Sequence, residues 1–139
     1  MAAQTEPISS RALISNKALW AGRILSGLVV AFLALDGAMK LIPLDIVVQT
    51  SQELGIPVYL ARTLGVLTLA GTVLYAIPRT SVLGAILLTG YLGGAIYTHV
   101  RAGSPLLTHT FFGVYLGLLV WGGLWLREER LRALIPLAR

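Results

Sequence analysis

The chain has 139 residues, of which 56% are hydrophobic and only 12% charged. A soluble domain carries about a quarter charged residues to cover its surface, so composition and a mean hydropathy of +0.80 point to lipid as the solvent. The net charge of +5 belongs to span ends and tails rather than to a nucleic-acid surface. The absence of cysteine excludes disulfides, thiolate metal ligation and thiol redox chemistry by the chain itself.

Residues 1–18 read as a polar N-terminal tail. Basic residues followed by the apolar run Ile24–Leu35 also fit a signal peptide, but Asp36 and Lys40 follow directly and apolar sequence then resumes, which favours a retained span. The first span is expected at about 19–41. Its uncharged part, Ile24–Leu35, has twelve residues, or ~18 Å of helix, against a hydrocarbon core of about 30 Å. Arg23 can snorkel to an interface. Asp36 cannot, and Lys40 lies four residues on, on the same helical face and within ion-pair reach.

Residues 42–57 form a connection with an apolar stripe at Leu44, Val47, Val48 and Leu54. With Asp45 as N-cap and Gly55 as stop, a short interfacial helix is expected, resting over the bundle end. The second span is expected at about 58–77, between Pro57 and Pro78, with Arg62 near its start. The tight Pro78–Ser81 link makes spans two and three antiparallel neighbours. The third span, about 82–100, carries Gly90, Gly93 and Gly94 and ends in Tyr97, Thr98, His99 and Arg101. Ser104 as N-cap and Pro105 as first helical residue open a fourth span at about 106–126, with His109 near its start and Gly113 and Gly117 along it. Residues 127–139 form a basic C-terminal tail. The small-xxx-small pairs Gly90/Gly94 and Gly113/Gly117 fit packing inside the bundle, and also homo-oligomer contacts. The fold class is therefore all-α: an integral membrane four-helix bundle, spanning 19–126, with a short helix between spans one and two.

With both termini cytoplasmic, eight basic residues (Arg11, Lys17, Arg23, Arg79, Arg127, Arg130, Arg132, Arg139) lie inside and three (Lys40, Arg62, Arg101) outside. Trp20, Tyr75, Trp121 and Trp125 then fall at the inner interface, where aromatic rings anchor. Asp36, Lys40, Arg62, His99, Arg101 and His109 all gather at the outer end. Separate snorkelling or hydrogen-bonded span ends account for some of these. An intramembrane carboxylate, however, points by default to a polar interior.

The candidate ligand-binding residues are Asp36, Lys40, Tyr91, Tyr97, His99, Arg101 and His109, and Asp36, His99 and His109 are the candidate catalytic groups. A neutral organic ligand entering from the bilayer, such as a quinone, suits them. Its ring would lie among Tyr91, Tyr97, Phe111 and Phe112, and its oxygens would meet His99, Arg101 or the Asp36–Lys40 pair. No metal site is expected, because Asp36, His99 and His109 come from three spans with no histidine pair at i,i+4. Haem on His99 or His109 fits less well than quinone, since no attachment motif is present.

Three stretches carry a family resemblance: Leu35–Leu41 (LDGAMKL), Ile77–Pro105 (IPRTSVLGAILLTGYLGGAIYTHVRAGSP) and Trp121–Pro136 (WGGLWLREERLRALIP). The chain resembles the DoxX-like family of small four-span membrane proteins. The resemblance implies a bacterial cytoplasmic membrane and a link to quinone-dependent oxidation of thiosulfate. It also implies recurrent polar positions at Asp36, Lys40, His99, Arg101 and His109. Relatives often carry a glutamate after the Leu64-Gly65 position of the second span, where this chain has Thr68, so a mechanism needing that carboxylate does not carry over.

Three functions remain open at this stage. The first is a redox-associated accessory or quinone-linked oxidoreductase subunit. The second is a non-catalytic module that binds a lipid or hydrophobic small molecule, or scaffolds a membrane or redox protein partner. The third is a small intramembrane isomerase or hydrolase using Asp36 and a histidine as acid and base. An ion path is least supported, because Arg23 is the sole ionisable residue across the inner half.

Overall fold

A computed structural model describes residues 14–135, and among these every regular element is helical. Expectations for Arg11, Pro136, Arg139 and the rest of residues 1–13 and 136–139 lie outside the described residues. Helix α1 (Asn16–Leu41) starts where the Ser15 hydroxyl accepts from the Ala18 N–H at 3.2 Å, an N-cap bond. It stops at Ile42, whose extended backbone is what a residue before proline prefers. Helix α2 (Asp45–Glu53) follows, and Gly55 with φ +66° ends that turn as only glycine does without strain. Leu44, rather than Asp45, occupies the N-cap position. Asp45 sits in the first turn, where its charge faces the positive helix end.

Helix α3 (Val58–Ala76) runs between the two prolines, and α4 (Ser81–Arg101) returns antiparallel to it. The last span opens differently from expectation. Leu106–Thr110 is a π-helical turn, closed by Thr110 N–H to Pro105 C=O at 3.1 Å and Phe111 N–H to Leu106 C=O at 2.8 Å. Pro105 is the residue before the turn rather than its first residue, and no side chain caps it. The Ser104 hydroxyl is engaged elsewhere, with His99. Helices α5 (Phe112–Arg127) and α6 (Glu129–Leu134) complete the described chain.

Among the described residues four segments are long and apolar enough to cross a membrane: Asn16–Leu41, Val58–Ala76, Ser81–Arg101 and Leu106–Arg127. They form a square bundle in which α1 and α4 each pack against α3 and α5 and face one another across a diagonal. One end holds the described start of α1 and the end of α5. The other, the loop end, holds α2, the π-turn and the ends of α1 and α4.

The bundle is built as lipid demands. Large apolar side chains such as Leu28, Leu35, Val73 and Leu118 point outward. The buried face mixes Val29, Leu33, Leu88, Val120 and Leu124 with glycine, serine and threonine. Thr68 and Thr72 satisfy their hydroxyls on the carbonyls of Leu64 and Thr68, at 2.8 and 2.7 Å. Tyr75, expected as an interfacial ring, is instead completely buried. Its hydroxyl donates to the Val120 carbonyl at 2.8 Å and lies 3.0 Å from the Ser26 hydroxyl, joining α1, α3 and α5. Interior packing and hydrogen bonding replace the missing hydrophobic drive between helices in lipid.

The glycines divide into two groups. A Cβ on Gly22 would lie 2.8 Å from the Gly123 carbonyl oxygen, and one on Gly65 would lie 2.8 Å from the Gly37 carbonyl oxygen. Backbone-to-backbone approach there leaves no space for a methyl group. Gly113 packs likewise, its Cβ position 2.7 Å from Ile96 Cγ1. At Gly90, Gly93, Gly94 and Gly117 an added Cβ would meet nothing within 4 Å. Close packing inside the bundle, expected of Gly90/Gly94 and Gly113/Gly117, is made by Gly113 alone of these, together with Gly22, Gly37, Gly65, Gly84 and Gly123.

A candidate ligand cavity at the loop end

Two of the open glycines, Gly90 and Gly94, line a cavity of about 770 Å³ between α3 and α4, beneath α2. That size lies within the range of small-molecule sites, about 300–1,000 Å³. Asp36, Met39 and Lys40 come from the last turns of α1, and Tyr91, Gly94, Thr98 and His99 from α4. Helix α2 presents Ile46, Val47, Thr50 and Ser51, with Leu54 just beyond. Spacing of one, three and four residues places these on one helical face. This face is turned from the expected stripe: Val47 and Leu54 belong to it, whereas Leu44 and Val48 do not line the cavity. Further along, the walls become apolar, with Leu64, Leu67, Ala70 and Gly71 from α3 and Ile86 and Leu87 from α4.

The polar end is organised by Lys40. Its ammonium is ion-paired with Asp36, one turn earlier on α1. It also donates to the Tyr91 hydroxyl at 3.0 Å, reaching across the diagonal between α1 and α4. Neither member of the ion pair is sealed from solvent, with side chains 23% and 34% exposed. The charges neutralise one another, so the cavity gains dipoles without a net charge. Because Tyr91 accepts from Lys40, its own O–H proton is left to donate elsewhere.

His99 completes this end. Its Nδ1 lies 3.0 Å from the Ser104 hydroxyl, beyond the helix end, so Nε2 is the nitrogen left for a further partner. The tautomer decides whether that nitrogen donates or accepts. Ser104 thus orients a ring instead of capping a helix. Neither this pairing nor the Lys40–Tyr91 bond is legible locally, because each joins residues brought together by a turn or by the bundle.

The other candidate residues lie around the cavity rather than in its wall. His109 is exposed in the π-turn, its Nδ1 2.7 Å from the Thr108 hydroxyl and its ring centroid 6.0 Å from that of His99. Tyr97 is 67% exposed on the outside of α4. Arg101 donates to the carbonyls of Leu54 and Gly55 at 3.0 and 3.3 Å, which ties the end of α4 to the α2–α3 turn. Phe112 of α5 stacks edge-on against Phe32 of α1 at 5.4 Å and does not line the cavity. Thr68, at the place of the relatives' glutamate, is wholly buried and absent from the cavity wall. Among the described residues no three histidine, aspartate or glutamate side chains are grouped so as to hold a metal ion.

Thr50 and Ser51 are polar wall residues that sequence reasoning did not single out, and Thr98 is one it named only within the polar end of the third span. For Thr50 and Ser51 the period of α2 held a usable signal, since both fall one turn after Ile46 and Val47. No such signal marks Thr98, whose hydroxyl is already bonded to the Gly94 carbonyl at 2.8 Å.

No curated protein and no solved structure matches the chain. The model of the DoxX-like family matches residues 24–123, from the first span to the late part of the fourth. That stretch covers well over half the chain and includes every cavity-lining side chain, so the chain belongs to the DoxX-like family.

Proposed function

We propose that this membrane protein holds a neutral, lipid-soluble molecule with an oxygen-bearing head group in the loop-end cavity, and serves as a redox-associated accessory in which that molecule is a quinone. The observation that supports this reading is the change in chemistry along a single cavity. One end offers a tyrosine proton, the Lys40 ammonium and a histidine nitrogen, and the remainder is apolar. Carbonyl oxygens of a flat ring find donors in Tyr91 and Lys40, and a second hydrogen-bonding position at His99 Nε2. A bound quinone would supply two-electron, two-proton redox chemistry. The chain's part is to orient the head, keep the Asp36–Lys40 charges paired, and offer a proton from Tyr91 or His99.

A bacterial cytoplasmic membrane with both termini inside accompanies this proposal, supported by the eight-to-three distribution of basic residues. The cavity then faces the outer leaflet. A second reading, a module that binds a lipid without turnover, draws support from the largely apolar walls.

Gentle purification followed by mass spectrometry of retained small molecules tests the proposal. Quinone should be retained by the unaltered protein and reduced by Asp36→Asn, Lys40→Met or His99→Ala. Quinone content unchanged in all three variants would reject the head-group site, and phospholipid alone in its place would favour the second reading.

A further inference from the structure

The cavity is longer than a head group needs. Along α4 its wall extends from His99 to Ile86, thirteen residues or ~20 Å of helix axis. It therefore leaves the polar end and runs toward the middle of a hydrocarbon core about 30 Å thick. Its far part is also open sideways. Leu67 and Ile86, which line it, are each 55% exposed.

Gly90 and Gly94 lie on this wall between the polar and apolar parts. Neither is required by backbone packing, because a Cβ at either position meets no atom within 4 Å. Glycine in a helix interior costs stability relative to alanine, and here no neighbouring helix compensates for it. Their effect on shape is to keep the passage between the head-group end and the lateral opening unobstructed.

Resting on the head-group reading above, we infer that the α3–α4 seam is the berth of the ligand's single hydrocarbon chain, and that Gly90 is the residue that selects chain-bearing ligands. The molecule enters sideways from the bilayer, its head stops beside Gly94 among Tyr91, Lys40 and His99, and its chain lies along Gly90, Leu87 and Leu67. A chain already dissolved in lipid gains no hydrophobic free energy by entering the seam. Its advantage comes from close packing against a preformed groove, so a selectivity of about tenfold is the scale to expect.

The test uses the full chain in lipid nanodiscs and two probes: a naphthoquinone without a side chain, and the same ring carrying four isoprene units. Thermal unfolding verifies that Gly90→Leu and Gly94→Leu remain folded, with Gly90→Ala and Gly94→Ala as milder versions. The unaltered protein should bind the chain-bearing probe about tenfold more tightly than the bare ring. Gly90→Leu should bring the chain-bearing probe down to the affinity of the bare ring, whose own binding stays unchanged, whereas Gly94→Leu, at a position between Tyr91 and His99, should weaken both probes. Equal binding of both probes by the unaltered protein, or a ratio that Gly90→Leu leaves intact, would overturn the seam while the head-group site stands. Binding of neither probe would reject the head-group reading and the seam with it.

Discussion

The α1–α5 and α1–α3 seams and the loop-end half of the α3–α4 seam use the same residue type for opposite purposes, while at the far end of that third seam Gly84 packs directly on the Tyr75 backbone. In the first two, Gly22, Gly123, Gly37 and Gly65 bring backbones together so closely that a methyl group has no place. In the third, Gly90 and Gly94 hold space open. Small residues permit close approach, but whether an approach occurs depends on what the partner helix presents. Opposite Gly65 stand Gly37 and the Lys40 Cβ, so α1 and α3 close on each other. Opposite Gly90 and Gly94 no side chain lies that close. A groove remains, and α2 covers one end of it.

Alanine substitution should separate the seams most sharply. Gly22→Ala, whose new methyl meets a carbonyl oxygen and Leu126 Cβ, should cost about 1–3 kcal/mol by overpacking. Gly90→Ala should be neutral or stabilising by up to about 1 kcal/mol, from helix propensity. Unfolding in mixed micelles measures both, and equal losses in the two variants would erase the distinction between a packed and an open seam.

A smaller effect is expected at the three-helix node of the packed side. Tyr75→Phe removes the bond to the Val120 carbonyl and the contact with Ser26, and should cost about 0.6–1.7 kcal/mol, the range of interhelical bonds in membranes. Lys40→Met removes the partner of Asp36 and the bond to Tyr91 together, and should loosen α4 against α1 at the loop end. Faster hydrogen exchange around Tyr91 would register this. Exchange that is unchanged there would show that the Lys40–Tyr91 bond does not hold the cavity together.

The smallest effect should come from Arg101→Ala. Losing the bonds to Leu54 and Gly55 should raise exchange in Asp45–Glu53 and its following turn, with a stability change of about 1 kcal/mol or less. If the α2 amides do not respond, α2 is held by its contact with α3 alone.

Much of the fold was legible because its signals are local or compositional. Apolar run length, the prolines at 57, 78 and 105, and the glycines at 55 and 103 mark where helices run and turn, and lipid leaves few alternatives to a helical bundle. The Asp36–Lys40 pair was equally legible, since i,i+4 spacing on a helix is a geometric fact. Other expectations failed where two different jobs suit one residue type. Ser104 is a fine N-cap in isolation, yet the chain turns His99 back onto it. Tyr75 has the amphipathic character of an interfacial ring, yet Ser26 and the Val120 carbonyl offer its hydroxyl a partner inside.

By itself the sequence determined the solvent, the number of spans, the antiparallel order and the ionisable groups that share the loop end, because these follow from hydropathy, chain length and helical period. Tertiary structure alone decided which of those groups face one cavity. Lys40 meets Tyr91 across the diagonal of the bundle, His109 and Tyr97 point away, and Gly90 and Gly94 line open space while Gly22 and Gly65 touch backbone. The physical reason is that helix rotation and separation are settled by mutual packing of whole faces. No local run of residues encodes them.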